Sequence, residues 1–157
     1  MRRVVVTGLG AITPLACGTE QSWKGLINGH SGLNTITSFD VSDIPSKIAG
    51  QVPRSKDANA SKLGKFNPDE WISPKEQRRM DTFIQFGLAA ASLAVQDSGW
   101  IPLNEEGFER TGVMIGSGIG GLPEIEKSAR IVNDGNIRRL SPFFIPASLI
   151  NLVSGQV

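Results

Sequence analysis

Apolar positions along the 157-residue chain switch between the alternating rhythm of strands and the three-to-four-residue rhythm of helices. Val4-Val5-Val6, β-branched and bounded by glycine, predicts a short buried strand over Arg3 to Thr7. A helix follows, with Thr19 as N-cap, Trp23, Leu26 and Ile27 on one face, and Gly29 as its stop. From Gly32 to Ile72 the pattern is irregular, apart from a strand at Lys47 to Val52. The polar part of that stretch, Pro53 to Pro68, reads as a surface excursion.

Ser73-Pro74-Lys75-Glu76 is the strongest local signal: an N-cap serine, proline at the first helical position and glutamate at the third. One long helix is predicted from there to Ser98, stopped by Gly99. Met80, Phe83, Ile84, Leu88, Ala91 and Val95 give it an apolar face. Gly87 and Ala89-Ala90-Ala91 leave little bulk, so another backbone can approach closely and the helix is expected at the centre of the packing. A further strand, Gly112 to Ile115, runs straight into Gly116-Ser117-Gly118-Ile119-Gly120-Gly121. The next helix starts at Pro123, carries Glu124 and Glu126 in its first turn and ends at Asn133-Asp134-Gly135. Ser141-Pro142-Phe143-Phe144-Ile145-Pro146 leads into a last short helix to Ser154, closed by Gly155. Strands alternating with helices make this an α/β chain.

Composition narrows the class without naming a function. With 39% hydrophobic and 20% charged residues, the chain is globular rather than disordered, collagen-like or a coiled coil. A net charge of +1 gives no overall pull toward nucleic acid or membrane, so electrostatic recognition must come from a local patch. One cysteine cannot form an internal disulfide, and one histidine with it cannot complete a four-ligand zinc site. No metal or cofactor is implied. Arg2-Arg3 followed by an apolar stretch ending at Cys17 imitates a lipoprotein signal, but Thr7, Gly8, Gly10 and Thr13 interrupt it. No apolar run approaches the roughly 20 residues that span a bilayer.

Three features bear on chemistry. Gly116-x-Gly118-x-x-Gly121, after a strand and before a helix, fits a dinucleotide fingerprint literally. The acidic strand end expected about 20 positions on is absent, and a tight turn permitting close packing is the competing reading. Lys75, Arg78 and Arg79 fall at helical spacing on one side of the long helix's first turns, with Arg138-Arg139 as a second basic pair. Cations there oppose the helix dipole, so folding does not ask for them; an acidic protein or phosphate is the natural target, against the alternative of a solvated face. Cys17 and His30 are the only thiol and imidazole, and nothing in the sequence pairs them. Ser117 lacks the G-x-S-x-G setting of a nucleophile elbow.

Four motifs occur in order: Arg2-Arg3-Val4-Val5-Val6-Thr7-Gly8-Leu9-Gly10, Lys75-Glu76-Gln77-Arg78-Arg79-Met80-Asp81, Ile115 to Gly121, and Ser141 to Pro146. Together they resemble the N-terminal part of the β-ketoacyl-(acyl carrier protein) synthases, the type II condensing enzymes of fatty-acid elongation. The resemblance covers all 157 residues. It implies a thiolase-like α/β fold layered α-β-α-β-α, of which residues 1–157 would be an incomplete N-terminal half-domain. It implies a homodimer, acyl- and malonyl-loaded acyl carrier protein as partners, no cofactor, and a cytoplasmic setting in a bacterium or an organelle.

By the same resemblance, Ile119 would line and gate the acyl pocket, and Phe144 would reach across the dimer to line the partner's pocket. Lys75, Arg78, Arg79, Arg138 and Arg139 would receive the carrier protein. The family's nucleophilic cysteine would fall just beyond Val157 and its two histidines much later, so no catalytic residue is expected within the chain. A non-catalytic docking or dimerisation fragment, or a dinucleotide-binding oxidoreductase domain resting on the glycine loop, are the alternatives.

Overall fold

The computed structural model describes residues 2–157. Helix α3 (Thr82–Ser98) contributes to both hydrophobic cores. Its Ile84 belongs to a core with Ile72, Met80 and Val153, and Trp71, Phe83, Leu88, Ile115 and Leu152 pack around it. Its Ala89 belongs to a second core with Cys17 and Phe66, flanked by Ile12, Val52 and Phe86. The central, small-sided helix read from the sequence is therefore present. Gly99, at φ 62°, stops it in the left-handed conformation that glycine tolerates best.

Small residues let neighbours reach the backbone of α3. A Cβ on Gly10 would lie 1.9 Å from the Ala90 carbonyl oxygen, and one on Gly8 would lie 2.2 Å from that of Ala94. On the helix itself, a Cβ at Gly87 would lie 2.2 Å from Val153 Cγ2. Val153 comes from the last helix, α7 (Leu152–Gln156).

Several elements depart from the sequence reading. Helix α1 (Thr19–Ile27) has Gly18 rather than Thr19 as N-cap, and Thr19 Oγ1 donates to the Leu9 carbonyl at 3.2 Å. The strand at Lys47 to Val52 is shorter, β2 (Ile48–Gly50), and pairs antiparallel with β1 (Leu33–Thr35) from the stretch read as irregular. Pro53 to Pro68 is more than a surface excursion. Ala60 and Phe66 are fully buried, held by a bond from the Phe66 N–H to the Pro53 carbonyl at 2.7 Å and by edge-on packing of Phe66 against Phe86. Its polar residues marked it as exposed, but the two apolar ones anchor it.

The long helix breaks into α2 (Pro74–Gln77) and α3. A short helix, α4 (Glu105–Glu109), was not foreseen; Asn104 caps it by accepting from the Gly107 N–H at 2.9 Å. α5 (Leu122–Asn133) lies where expected. The last helix is two: α6 (Phe144–Ser148) and α7, separated by Leu149 in an extended conformation, with α7 running through Gly155 instead of stopping there.

The strands expected at Arg3 to Thr7 and Gly112 to Ile115 form no ladder among the described residues. Val4, Val5, Val6 and Met114 are 94, 70, 78 and 97% exposed. A β-branched run becomes a strand only where its amides meet a neighbouring strand. Just beyond the run, the Leu9 N–H donates to Asp97 Oδ2, at 2.8 Å. The chain exposes 11473 Å². A compact monomer of this mass exposes roughly 7,700 Å².

The close approach at α3 has a direct test. Gly10→Ala should destabilise by about 1–3 kcal/mol, because the obstruction is backbone that cannot turn aside. Gly116→Ala, with nothing within 4 Å of its new methyl, should be nearly neutral. Urea denaturation of both variants reads the difference, and equal losses would contradict this packing.

Candidate functional site

The break between α2 and α3 has an identifiable cause in Asp81. Its Oδ1 accepts from the Thr82 N–H as the N-cap of α3, and its Oδ2 accepts from the Glu124 N–H at 2.9 Å, in the first turn of α5. One carboxylate thus serves the exposed N–H groups of two helix starts. α2 has its own cap, with Ser73 Oγ accepting from the Glu76 N–H at 3.3 Å.

This break corrects the picture of the basic residues. Lys75, Arg78 and Arg79 do not share one face of a long helix. Lys75 is the second residue of the single-turn α2 and Arg78 is its C-cap, both exposed, and only Arg78 lies at the end where cations are favoured. The dipole argument drawn from a continuous helix therefore does not apply to Arg78. Arg79 points elsewhere. Its guanidinium lies 5.0 Å from the centroid of the Phe143 ring and 3.5 Å from Glu76 Oε1, with 42% of the side chain exposed. Arg138 and Arg139 are exposed in a 3-10 turn, Ile137–Arg139, four to five residues before Phe143.

The glycine loop divides into an open half and a packed half. A Cβ at Gly116 or Gly118 would meet nothing within 4 Å. Gly120 has φ 81°, and its Cβ would lie 2.6 Å from the Ser148 carbonyl oxygen. A Cβ at Gly121 would lie 2.7 Å from Ser148 Cα and 3.0 Å from Asp81 Oδ2. The Gly121 N–H donates to the Ser148 carbonyl at 3.1 Å. Ile119 is 67% exposed at the turn of this loop, and Phe144, half-buried, opens the helix on which the loop rests. The two residues expected at the acyl pocket thus sit on segments in direct contact.

The same geometry argues against a dinucleotide. Of the three fingerprint glycines only Gly121 is required by a close approach, and that approach is to protein. The Asp81 carboxylate occupies the start of α5, where it would repel a pyrophosphate. The strand that should precede the loop is not in a sheet among the described residues.

Cys17 and His30 are kept apart in role. Cys17 is buried beside Phe66 and Ala89, and burial, aided by the Glu70 carboxylate, pushes its thiol up to about 11. His30 lines an open cleft with Lys24, Asn28 and Ser31. A thiol held protonated is a poor nucleophile. Ser117 lies in the glycine loop, remote in sequence from the only imidazole.

Sequence reasoning missed Asp81 and Phe143. Aspartate directly before Thr82 is an N-cap signal, overridden in the reading by apolar spacing that continues through the break. Phe143 meets Arg79 only through the fold, so no local signal exists for that contact.

Comparison with known proteins gives a consistent set. The family described as "Beta-ketoacyl synthase, N-terminal domain" matches residues 1–157. The 3-oxoacyl-[acyl-carrier-protein] synthase 2 of Rhizobium meliloti is 49% identical over 157 residues, covering 100% of this chain and 36% of that protein. A mitochondrial 3-oxoacyl-[acyl-carrier-protein] synthase of Arabidopsis thaliana is 41% identical, covering 99% of this chain and 35% of that protein. The chain thus spans about a third of the length of these relatives. Among solved structures, the ishigamide ketosynthase/chain length factor superposes with a TM-score of 0.76 at 26% identity, over 99% of this chain and 36% of that one. A ketosynthase bound to its type II polyketide acyl-carrier protein superposes with a TM-score of 0.69 at 21% identity, over 99% of this chain and 38% of that one, and so shows the fold alone. The fold is therefore thiolase-like, and this stretch is an N-terminal half-domain of mixed helices with a small sheet.

The burial of Cys17 predicts its reactivity. At pH 8 its thiolate should be about 100-fold scarcer in the folded chain than in the unfolded one, and iodoacetamide labelling should slow accordingly. Stability should also fall as pH rises from 9.0 toward about 11, where the unfolded thiol ionises and the folded one does not, and level off above. Cys17→Ser should remove that component. Rapid labelling of the native thiol would contradict the assignment.

Proposed function

The chain belongs to the β-ketoacyl synthase family, matching its N-terminal domain from end to end, and from that premise we propose that it is the carrier-docking and acyl-channel part of a type II fatty-acid condensing enzyme. The observation that carries this is the 49% identity to a 3-oxoacyl-[acyl-carrier-protein] synthase 2 along the whole chain. In the proposed reaction a thiolate takes the acyl group from the carrier's thioester and frees the carrier thiol. Malonyl-carrier protein then loses carbon dioxide, and the resulting carbanion attacks the enzyme-bound thioester carbonyl. The enzyme thiol leaves, and the elongated β-ketoacyl group remains on the carrier.

Residues 1–157 contribute recognition and shape to this scheme rather than the nucleophile. Cys17 is buried and held protonated, so the thiolate and the imidazoles that assist decarboxylation come from the rest of the synthase. Ile119, exposed on the glycine loop, lines the acyl channel, and Phe144 lines that of the partner subunit in a homodimer. Lys75, Arg78, Arg138 and Arg139, exposed near the Phe143–Phe144 segment in fold or in sequence, give the acidic carrier a weak, reversible landing surface. The unpaired β-branched segments at Val4 to Val6 and Val113 to Met114 support a half-domain whose apolar edge the remaining synthase covers. The relatives include bacterial and mitochondrial enzymes, and no helix among the described residues is long and apolar enough to cross a membrane. We place the enzyme in the cytoplasm or an organelle matrix.

Carbon dioxide release from malonyl-carrier protein should be absent with residues 1–157 alone, and acylation of Cys17 above background would overturn the assignment. In a synthase of the relatives' length carrying these residues, joint Lys75→Glu and Arg78→Glu substitution should raise KM for acyl-carrier protein. Exposed ion pairs contribute only about 0.2–1 kcal/mol each, while clustered charge raises encounter rates by about 10–10³-fold in a salt-dependent way. The effect should therefore fade as salt increases and spare acyl-pantetheine substrates; equal loss with both would show a solvated surface. Ile119→Phe should penalise long acyl chains more than short ones, by up to about 1–3 kcal/mol.

A further inference from the structure

Arg79 stands among the basic residues in sequence but not in orientation. Arg78 and Lys75 are exposed, whereas the Arg79 guanidinium covers the Phe143 ring at 5.0 Å and meets Glu76 at 3.5 Å. Phe143 is the N-cap of α6, whose first residue is Phe144. The far end of α6 carries Ser148, whose carbonyl receives the Gly121 N–H at 3.1 Å beneath the loop of Ile119. Two residues beyond Arg79, Asp81 ties the same junction to the first turn of α5, immediately after that loop. The α2–α3 junction therefore grips both segments expected to line acyl channels, the partner's through the Phe143 ring beside Phe144 and its own through the helix start after the loop of Ile119.

From this geometry we infer that Arg79 is a positioning residue for the acyl channel rather than a docking cation. It fixes Phe143, and through it the start of α6 and the Phe144 side chain. The inference rests on the reading above, that Ile119 lines the acyl channel of its own subunit and Phe144 that of the partner. A guanidinium on a ring face is an attraction with a defined geometry, and at a half-exposed site its loss corresponds to about two- to five-fold in an equilibrium or a rate. Removing it should let the ring and the α6 start shift, altering the selection of acyl-chain length even when no carrier protein is present.

The experiment uses a synthase of the relatives' length and acyl-pantetheine thioesters of short and long chain, which bypass carrier docking. Arg79→Gln should change the long-to-short ratio of kcat/KM by about two- to five-fold, and Arg79→Lys, which keeps a cation above the ring, should restore most of it. Phe143→Leu should shift the ratio the same way, and the double variant Arg79→Gln/Phe143→Leu should be no worse than the more affected single one. If Arg79→Gln raises only the KM for acyl-carrier protein and leaves the pantetheine ratio untouched, Arg79 is a docking cation and the inference is overturned. Additive effects of the two single changes overturn it as well. Ile119→Phe and Phe144→Ala are measured in parallel. Should neither alter chain-length selection, the channel reading fails and takes the inference with it; should they alter it while Arg79→Gln does not, the inference fails alone.

Discussion

Both hydrophobic cores of this half-domain depend on the approach of other segments to helix α3. Gly8 and Gly10 lie where any side chain would collide with the Ala90 and Ala94 carbonyls, and Gly87 makes room for Val153. The helix consequently joins two cores, one through Ile84 and one through Ala89. Packing at this distance holds few alternatives, because backbone cannot change rotamer to relieve a clash. A fixed α3 fixes its N-terminal cap, and the cap is where the candidate site begins.

At that cap a short run of residues divides its tasks. Arg78 faces solvent, Met80 enters the core, Arg79 covers Phe143, and Asp81 joins the starts of α3 and α5. Arg78, proposed to meet an acidic partner, is therefore one and three residues along the chain from Arg79 and Asp81, which contact the segments proposed to line an acyl channel. This closeness suits an enzyme whose substrate arrives on a carrier protein: the docking contacts can stay weak and salt-sensitive, while the channel keeps its shape through contacts of its own.

Signals that act within a few residues were legible in the sequence. Ser73 and Pro74 at the start of α2, Gly99 at the end of α3, and the small residues of α3 were all read correctly, because caps and close approaches leave a local residue requirement. The family motifs led to the thiolase-like fold, which matching over the whole chain bears out. Contacts between distant segments were not legible. Val4-Val5-Val6 has the composition of a strand, but pairing depends on a neighbour that composition does not encode. Phe66 is buried because its backbone bonds to Pro53, within a segment whose average polarity suggested the surface. The helix break at Asp81 was hidden by apolar spacing that runs on through it, and its second partner, Glu124, lies far along the chain.

In this proposal acyl-carrier protein lands at the α2–α3 junction, beside the segment proposed to shape the acyl channel. Hydrogen–deuterium exchange of a synthase carrying these residues, with and without acyl-carrier protein, tests it most directly. Docking there should slow exchange only at Pro74 to Arg79 and Ile137 to Phe144, with the protection fading as salt is raised. Protection elsewhere on the half-domain, with both of these segments unchanged, would contradict it.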